Sequence, residues 1–357
     1  MLRQSTLLSV LLASLARAQS VCNGHAELCS RQYSNVTYIG AHDSYAVNGT
    51  AGESAVAANQ NYNVTVQLDD GIRLLQGQGH ALNGSLHLCH TSCTLFDGGT
   101  AQAYLSEVKS WLDANPNEVI TILMTNPETL SPAVWGQAYA AAGLDTVSYT
   151  PPTFPLPKSQ WPTLQELISN NTRVVNFLDF NADPATVPYI IDEFTNIWET
   201  PYDVTDSTFP CTIDRINGTA SDQMYLVNHF LDANITIGTS TLGTLPDTAA
   251  LPTTNSEASI EANAESCASE HGSYPTFVLV DYYSIPSNGS VFAAAAALNG
   301  VTYTSMATGS TSSGTGSSTS NTTTASSTPI MQSGKATFTS VSSLAFAIGL
   351  AGLMHAL

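Results

Sequence analysis

Gly40-Ala41-His42-Asp43-Ser44 and Leu86-His87-Leu88-Cys89-His90 flank the apolar run Gly71-Ile72-Arg73-Leu74-Leu75. Each motif ends a short apolar segment, so the two imidazoles of His42 and His90 are expected where early strands give way to loops. An unperturbed histidine titrates near pH ~6.5 and serves as base or acid at neutral pH. One such pair is what cleavage of a phosphodiester requires. Outward from this stretch, strand-like runs recur at Val36–Gly40, Gly71–Gln78, Val119–Met124, Arg173–Leu178, Met224–Val227 and Phe277–Asp281. Most are continuously apolar, as strands covered on both faces should be.

Between them, Thr100–Ala114, Pro132–Ala142, Leu164–Ile168 and Ser256–His271 carry helical spacing. Alternating strands and helices predict a parallel α/β architecture. The segment 19–303 suits one α/β domain, a TIM-like (β/α) barrel, distorted or incomplete, stapled by disulfides. His42, His90, Asn126, Asp179, His229 and Asp281 all fall at or just past the end of an apolar run. In such barrels the strand C-termini carry the chemistry.

The ends of the chain read as processing signals. Arg3, the apolar run Leu7 to Leu15 and Ala16-Arg17-Ala18 form a secretory signal peptide, residues 1–18. A Ser/Thr/Gly-rich stalk is expected over 304–333, and a removed C-terminal GPI-anchor signal over 334–357, with Gly334 as attachment residue. The apolar tail from Leu344 to Leu357 is shorter than the ~20 residues of a spanning helix. The expected location is therefore extracellular, at the cell surface or wall, with the membrane as a partner through the lipid anchor.

An oxidising compartment favours pairing of the six cysteines. Proximity suggests Cys22 with Cys29, Cys89 with Cys93, and Cys211 with Cys267. Nine glycosylation sequons fit the same compartment: Asn35, Asn48, Asn63, Asn83, Asn170, Asn217, Asn234, Asn288 and Asn321. Loss of Arg3, Arg17 and Lys335 with the end signals leaves six basic residues against all 28 acidic ones. Such a chain is unsuited to nucleic acid, whose binding rests on basic charge, and is repelled by anionic lipid. No phosphate-cradling glycine loop, dinucleotide fingerprint or serine-nucleophile elbow is present.

GAHDSY (40–45), QLDDGIRLLQGQGH (67–80) and LHLCHTSC (86–93) together resemble the X domain of phosphatidylinositol-specific phospholipase C. They are more similar still to its secreted fungal branch, the PLC-like phosphodiesterases with a TIM-barrel fold. ITILMTNPE (120–128), RVVNFLDF (173–180) and FVLVDYYSI (277–285) continue the resemblance across most of the domain. The resemblance implies a phospholipid or glycolipid substrate, with His42 deprotonating the inositol 2-hydroxyl and His90 protonating the leaving oxygen. It makes Asp43 and Asp281 the candidate carboxylates that orient an imidazole.

The departures concern charge. Bacterial relatives carry Asp-x-Arg where this chain has Gln76-Gly77-Gln78, and Asn126 stands where relatives carry a charged residue. Gln76, Gln78 and Asn126 are candidate substrate-binding positions, yet none supplies a cation. Arg73 should face the opposite side of its strand by alternation. His80 and His87 are candidate cations, more readily read as exposed loop histidines beside Asn83. Asp69-Asp70 reads as a turn, and His25, His229 and His271 as structural. No cofactor or metal site is expected, with calcium left open. A rival to the enzyme is a catalytically weakened lipid- or glycan-binding module on the same barrel. A metal-dependent phosphodiesterase would need more acids near His42 than Asp43.

Overall fold

The computed structural model describes residues 21–50, 52–53, 57–237 and 240–304. The expected signal peptide, the stalk beyond residue 304, the anchor signal with Gly334, and Asn321 lie outside the described residues. In chain order the strands are β1 (Tyr38–Ala41), β2 (Leu74–Leu82), β3 (Ser85–Cys89), β4 (Asp97–Thr100), β5 (Ile120–Thr125), β6 (Val174–Leu178), β7 (Ile190–Asp192), β8 (Ile197–Glu199), β9 (Met224–Asn228), β10 (Asp232–Ile237), β11 (Ser240–Pro246) and β12 (Phe277–Val280). The helices are α1 (Val64–Asp70), α2 (Ala101–Ala114), α3 (Pro132–Ala141), α4 (Leu164–Ser169), α5 (Leu251–Thr254), α6 (Glu257–His271) and α7 (Ser290–Leu298).

Eight parallel strands pair in the order β7-β6-β5-β2-β1-β12-β9-β8. Followed round the ring from β1, that order is also chain order, as in a (β/α) barrel wound once. The ring is open between β7 and β8, where residues 193–196 leave no room for a crossover helix. The TIM-like architecture and its incompleteness are thus as the sequence predicts. Among the described residues no helix is long and apolar enough to cross a membrane.

Alternation along each strand divides the core in two. Tyr38, Leu74, Leu123, Val175, Phe177, Met224, Leu226, Phe277 and Leu279, drawn from strands all round the ring, form one buried cluster inside it. Ile39, Leu75, Ile122, Met124, Leu178 and Val280 belong to the other, with Val108 and Leu112 of α2, Trp135 of α3 and Val291 of α7. Both faces being covered explains the continuous apolar runs. The alternation also sends His42, Gln76, Gln78, Asp179 and Asp281 to the inner side.

Side-chain caps fix where the helices start. Asn63 accepts from Val66 N at the head of α1, Thr100 from Ala103 N at α2, and Thr163 and Glu166 form a capping box on α4. Asp69-Asp70 is not a turn but the last two residues of α1, which Gly71 closes in the left-handed region at φ 119°. Asp69 accepts from Trp111 Nε1 and Asp70 from Tyr283 Oη, both at 2.7 Å, so both acids have structural partners.

The β2–β3 hairpin turns on Asn83-Gly84, both in the left-handed region at φ 50° and 81°, a two-residue Asn-Gly hairpin signal in the sequence. β2 runs on past the barrel mouth, β3 returns antiparallel with Gly79 opposite Leu88, and β4 pairs with β3. Cys89–Cys93 closes the loop beyond, while Cys22–Cys29 and Cys211–Cys267 staple the N-terminal segment and the β8–β9 loop to α6. A Cβ at Gly79 would lie 2.1 Å from the ring of Trp135, which is fully buried and cannot yield. Gly79→Ala should lower stability by ~1–3 kcal/mol, the usual cost of overpacking, read from the denaturant midpoint.

Candidate active site

His42 follows β1, and its main-chain N–H continues the ladder to Val280 O. Asp281 follows the neighbouring strand β12, so parallel pairing brings the two side chains together: His42 Nδ1 lies 2.9 Å from Asp281 Oδ1. Asn59 Nδ2 donates to the same oxygen at 2.9 Å, and Phe230 stacks on the imidazole at 4.3 Å between centroids. Nδ1–H facing the carboxylate leaves Nε2 as the working atom.

His90 arrives from a different direction, at the end of the returning strand β3. Its Nδ1 donates to Ala57 O at 2.7 Å, which again frees Nε2. Between the two rings stands Asp43, whose Oδ2 is 3.5 Å from His90 Nε2 and 3.8 Å from His42 Nε2. Gln78 Nε2 donates to that oxygen at 3.0 Å, and Gln78 Oε1 accepts from Thr91 N at 3.1 Å. Gln76 Oε1 accepts from Asp43 N at 2.8 Å and holds the turn in place. Asp43, Thr91 and Tyr282, the residues directly after His42, His90 and Asp281, all have positive φ, at 39°, 60° and 42°. Left-handed backbone is costly for such residues and gathers at functional sites.

The electrostatics are lopsided. Burial opposes charge on His42, but the Asp281 carboxylate, then Asp43 and Asp203, push it up to about 9. Asp203 is held above the usual carboxylate range by burial, and Asp232 is pushed up to about 6 by burial and by Asp281 and Asp203. Negative charge is crowded here, and a protonated His42 relieves it. A raised histidine stabilises the fold fully below its ordinary pKa and loses that contribution as pH passes about 9. Asp281→Asn removes the leading raising group and leaves burial opposed only by Asp43 and Asp203, so the His42 titration should move down from about 9, read from its imidazole proton shifts. With His42 as base, the rising limb of kcat/KM should shift to lower pH, with about a tenfold loss at the plateau.

Other candidates go elsewhere. Asn126 is buried, its Nδ2 donating to Leu130 O and Phe180 O and its Oδ1 accepting from Leu130 N, so it ties two loops together. Asp179 accepts from Asn126 N and Phe180 N and is raised to about 6 by burial. His229 is buried with Nδ1 on Asn263 and Nε2 on Thr254 O. His80 and His87 are not exposed loop residues: they face each other across β2 and β3, 3.0 Å from Glu128 and 2.9 Å from Asp97. Arg73 binds Glu118 at 2.7 Å, outside the histidine site. Asn59, Gln60, Asp203 and Phe230 join the site from loops that carry no periodic signal, and Asp232 from the first residue of β10. Among the described residues, no three or more His, Cys, Asp or Glu side chains are grouped to hold a metal ion.

A family model described as PI-PLC X 1 matches residues 28–299. The chain belongs to the PI-PLC X family. An Arthroderma benhamiae protein named PI-PLC X domain-containing protein 1 is 40% identical over 303 residues, covering 83% of this chain and 95% of that one. A second protein of that fungus, named as an uncharacterized secreted protein, is 42% identical over 300 residues, 82% of this chain and 67% of the relative. Among solved structures, phosphatidylinositol-specific phospholipase C from Listeria monocytogenes aligns with a TM-score of 0.51 at 13% identity, covering 74% of this chain and 96% of that one. A double mutant of the Staphylococcus aureus enzyme gives 0.52 at 15%, covering 77% and 95%. At such identities the likeness is one of fold. At the mouth of this barrel His42, His90 and the amide of Gln78 all face the Asp43 carboxylate.

Proposed function

We propose that this PI-PLC X protein is a phosphoric diester hydrolase of phospholipase C type, acting on an inositol lipid through a cyclic phosphate. The observation that carries the reading is the convergence of His42 Nε2 and His90 Nε2 on one point beside Asp43. His42, oriented by Asp281, takes the proton of the attacking hydroxyl, whose oxygen bonds to phosphorus. His90, oriented by Ala57 O, gives a proton to the departing oxygen as the second P–O bond breaks. Water can then open the cyclic diester with the roles reversed.

The chain is further proposed to work outside the cell as a glycoprotein. The domain 19–303 would be freed by removal of 1–18 and carried by the stalk on an anchor at Gly334, at the cell surface. Three disulfides and a relative named as secreted support that reading, as does the exposure of all eight described sequon asparagines.

The test is phosphorus NMR of phosphatidylinositol micelles with the purified domain, with and without chelator. A cyclic inositol phosphate signal that survives chelation supports the two-histidine reaction. A domain that binds the micelles and releases no phosphorus product is instead the binding module, a reading favoured by the neutral Gln78.

A further inference from the structure

His90 sits inside a small covalent ring. Cys89, the last residue of β3, and Cys93 are only four apart in sequence and joined by a disulfide, so the imidazole rides on a closed loop, residues 89–93. The other two disulfides join cysteines seven and 56 residues apart. A cross-link between near neighbours removes less chain entropy than one closing a long loop, so stability accounts poorly for this one. Its place accounts for it better.

Cys89 is fully buried opposite Asp97 of β4, and Phe96, next to Asp97, is buried in the core with its ring edge-on to Tyr45. Between these fixed points the chain buries little: Thr91, Ser92, Thr94 and Leu95 are exposed. Loops of that kind open at small cost. Thr91 also holds φ at 60°, a left-handed conformation that a β-branched residue adopts only under constraint. Three hydrogen bonds tie this stretch to its surroundings: His90 N–H to Phe96 O at 3.2 Å, His90 Nδ1–H to Ala57 O at 2.7 Å, and Thr91 N–H to Gln78 Oε1 at 3.1 Å. All three need the loop to keep its turn.

We propose that Cys89 and Cys93 are a positioning pair for the general acid: ring closure holds Thr91 left-handed and so keeps His90 Nε2 at 3.5 Å from Asp43 Oδ2, facing His42 Nε2. The inference rests on the reading of His90 as acid and deepens it. The acid half of the site then depends on an oxidised pair of cysteines. The base half does not, because His42 and Asp281 are brought together by the pairing of β1 with β12.

The test compares Cys89→Ala with Cys93→Ala, in the secreted domain, against Cys22→Ala with Cys29→Ala at the far end of the barrel, where Asn23 bonds Val119 just ahead of β5. Circular dichroism melting checks that each is folded. Opening the ring should lower kcat on phosphatidylinositol by ~10–10², the worth of about an ångström of misplacement, while the Cys22/Cys29 variant keeps its kcat. The loss should be recovered on an inositol phosphodiester with a nitrophenolate leaving group, which departs unprotonated. Adding His90→Ala should bring activity no lower than His90→Ala alone, since both changes act through one group. Dithiothreitol gives a second route should the variant not fold: it is oxidised as the disulfide becomes two thiols, and it reaches half-buried Cys93 while the cysteines of the other two bonds are at most 8% exposed. Imidazole proton shifts give a readout without turnover, in which His90 should move on ring opening and His42 should not. Full kcat with the ring open, equal losses from the two cysteine pairs, no recovery with the better leaving group, or unmoved His90 shifts would overturn the proposal. Full turnover by His90→Ala, or no phosphorus product from any lipid, would instead sink the acid reading, and the shifts would then decide whether the ring positions the imidazole.

Discussion

His42→Ala and His90→Ala should each lower turnover of phosphatidylinositol by ~10²–10⁴, the span over which a positioned general acid or base acts. The two losses should differ in kind. His42 is raised to about 9 by Asp281, so the parent enzyme gains activity with pH as the base form appears. That rising limb should vanish in His42→Ala and persist in His90→Ala. A substrate with a better leaving group should rescue His90→Ala and not His42→Ala, because only His90 protonates the departing oxygen. The double variant should lose little more than the worse single one, since the pair acts as a unit. Neither change should unfold the domain, as both side chains reach the surface at their tips. A folded double variant with full activity on every substrate the parent cleaves would end the two-histidine assignment.

How far the sequence could be read follows from where its signals are local. The six apolar runs became β1, β2, β5, β6, β9 and β12, and the four helical segments became α2, α3, α4 and α6. A buried strand writes its burial into consecutive residues. β7 and β8 are three residues each, too short to leave a pattern, and the seam between them follows from a connection of residues 193–196. Two-residue alternation, carried one step past each strand, separates the site from its neighbours. His42 and Asp281 continue the inner rows Tyr38-Gly40 and Phe277-Leu279, whereas Asn126 and His229 continue the outer ones. Asn126 and His229 stand at strand ends for the sake of the loops. That alternation was legible in advance. His90 was legible as a motif but not as a position, because a hairpin that turns back on the mouth breaks the rule of one strand and one loop. Asn59, Asp203 and Phe230 depend on loop folding, which no period encodes, and Asp232 opens β10, a strand outside the barrel ring.

Gln78→Arg should raise turnover by as much as ~10²–10³, the worth of one preorganised charge against a developing oxyanion. Gln78 faces the site from the inner row of β2, and its Nε2 is 3.0 Å from the Asp43 oxygen that both histidines share. A guanidinium there keeps the hydrogen bond to Asp43, now charge-assisted, and has donors to spare for phosphate. The surroundings favour it: Asp43, Asp281, Asp203 and Asp232 crowd the mouth, and two of them are held above the usual carboxylate range. Added positive charge should therefore also bring His42 down from about 9, since the introduced guanidinium repels a proton on the ring. Two readouts then move together, a higher kcat and a rising limb at lower pH. Gln78→Lys should give less of the first, because a point charge cannot bridge Asp43 and phosphate at once. Gln78→Met, matched in length and without a donor, separates charge from the existing hydrogen bond. If Gln78→Arg left kcat unchanged while shifting the pH limb, the transition state would already have its cation, and protonated His42 beside the phosphate would be the group that supplies it.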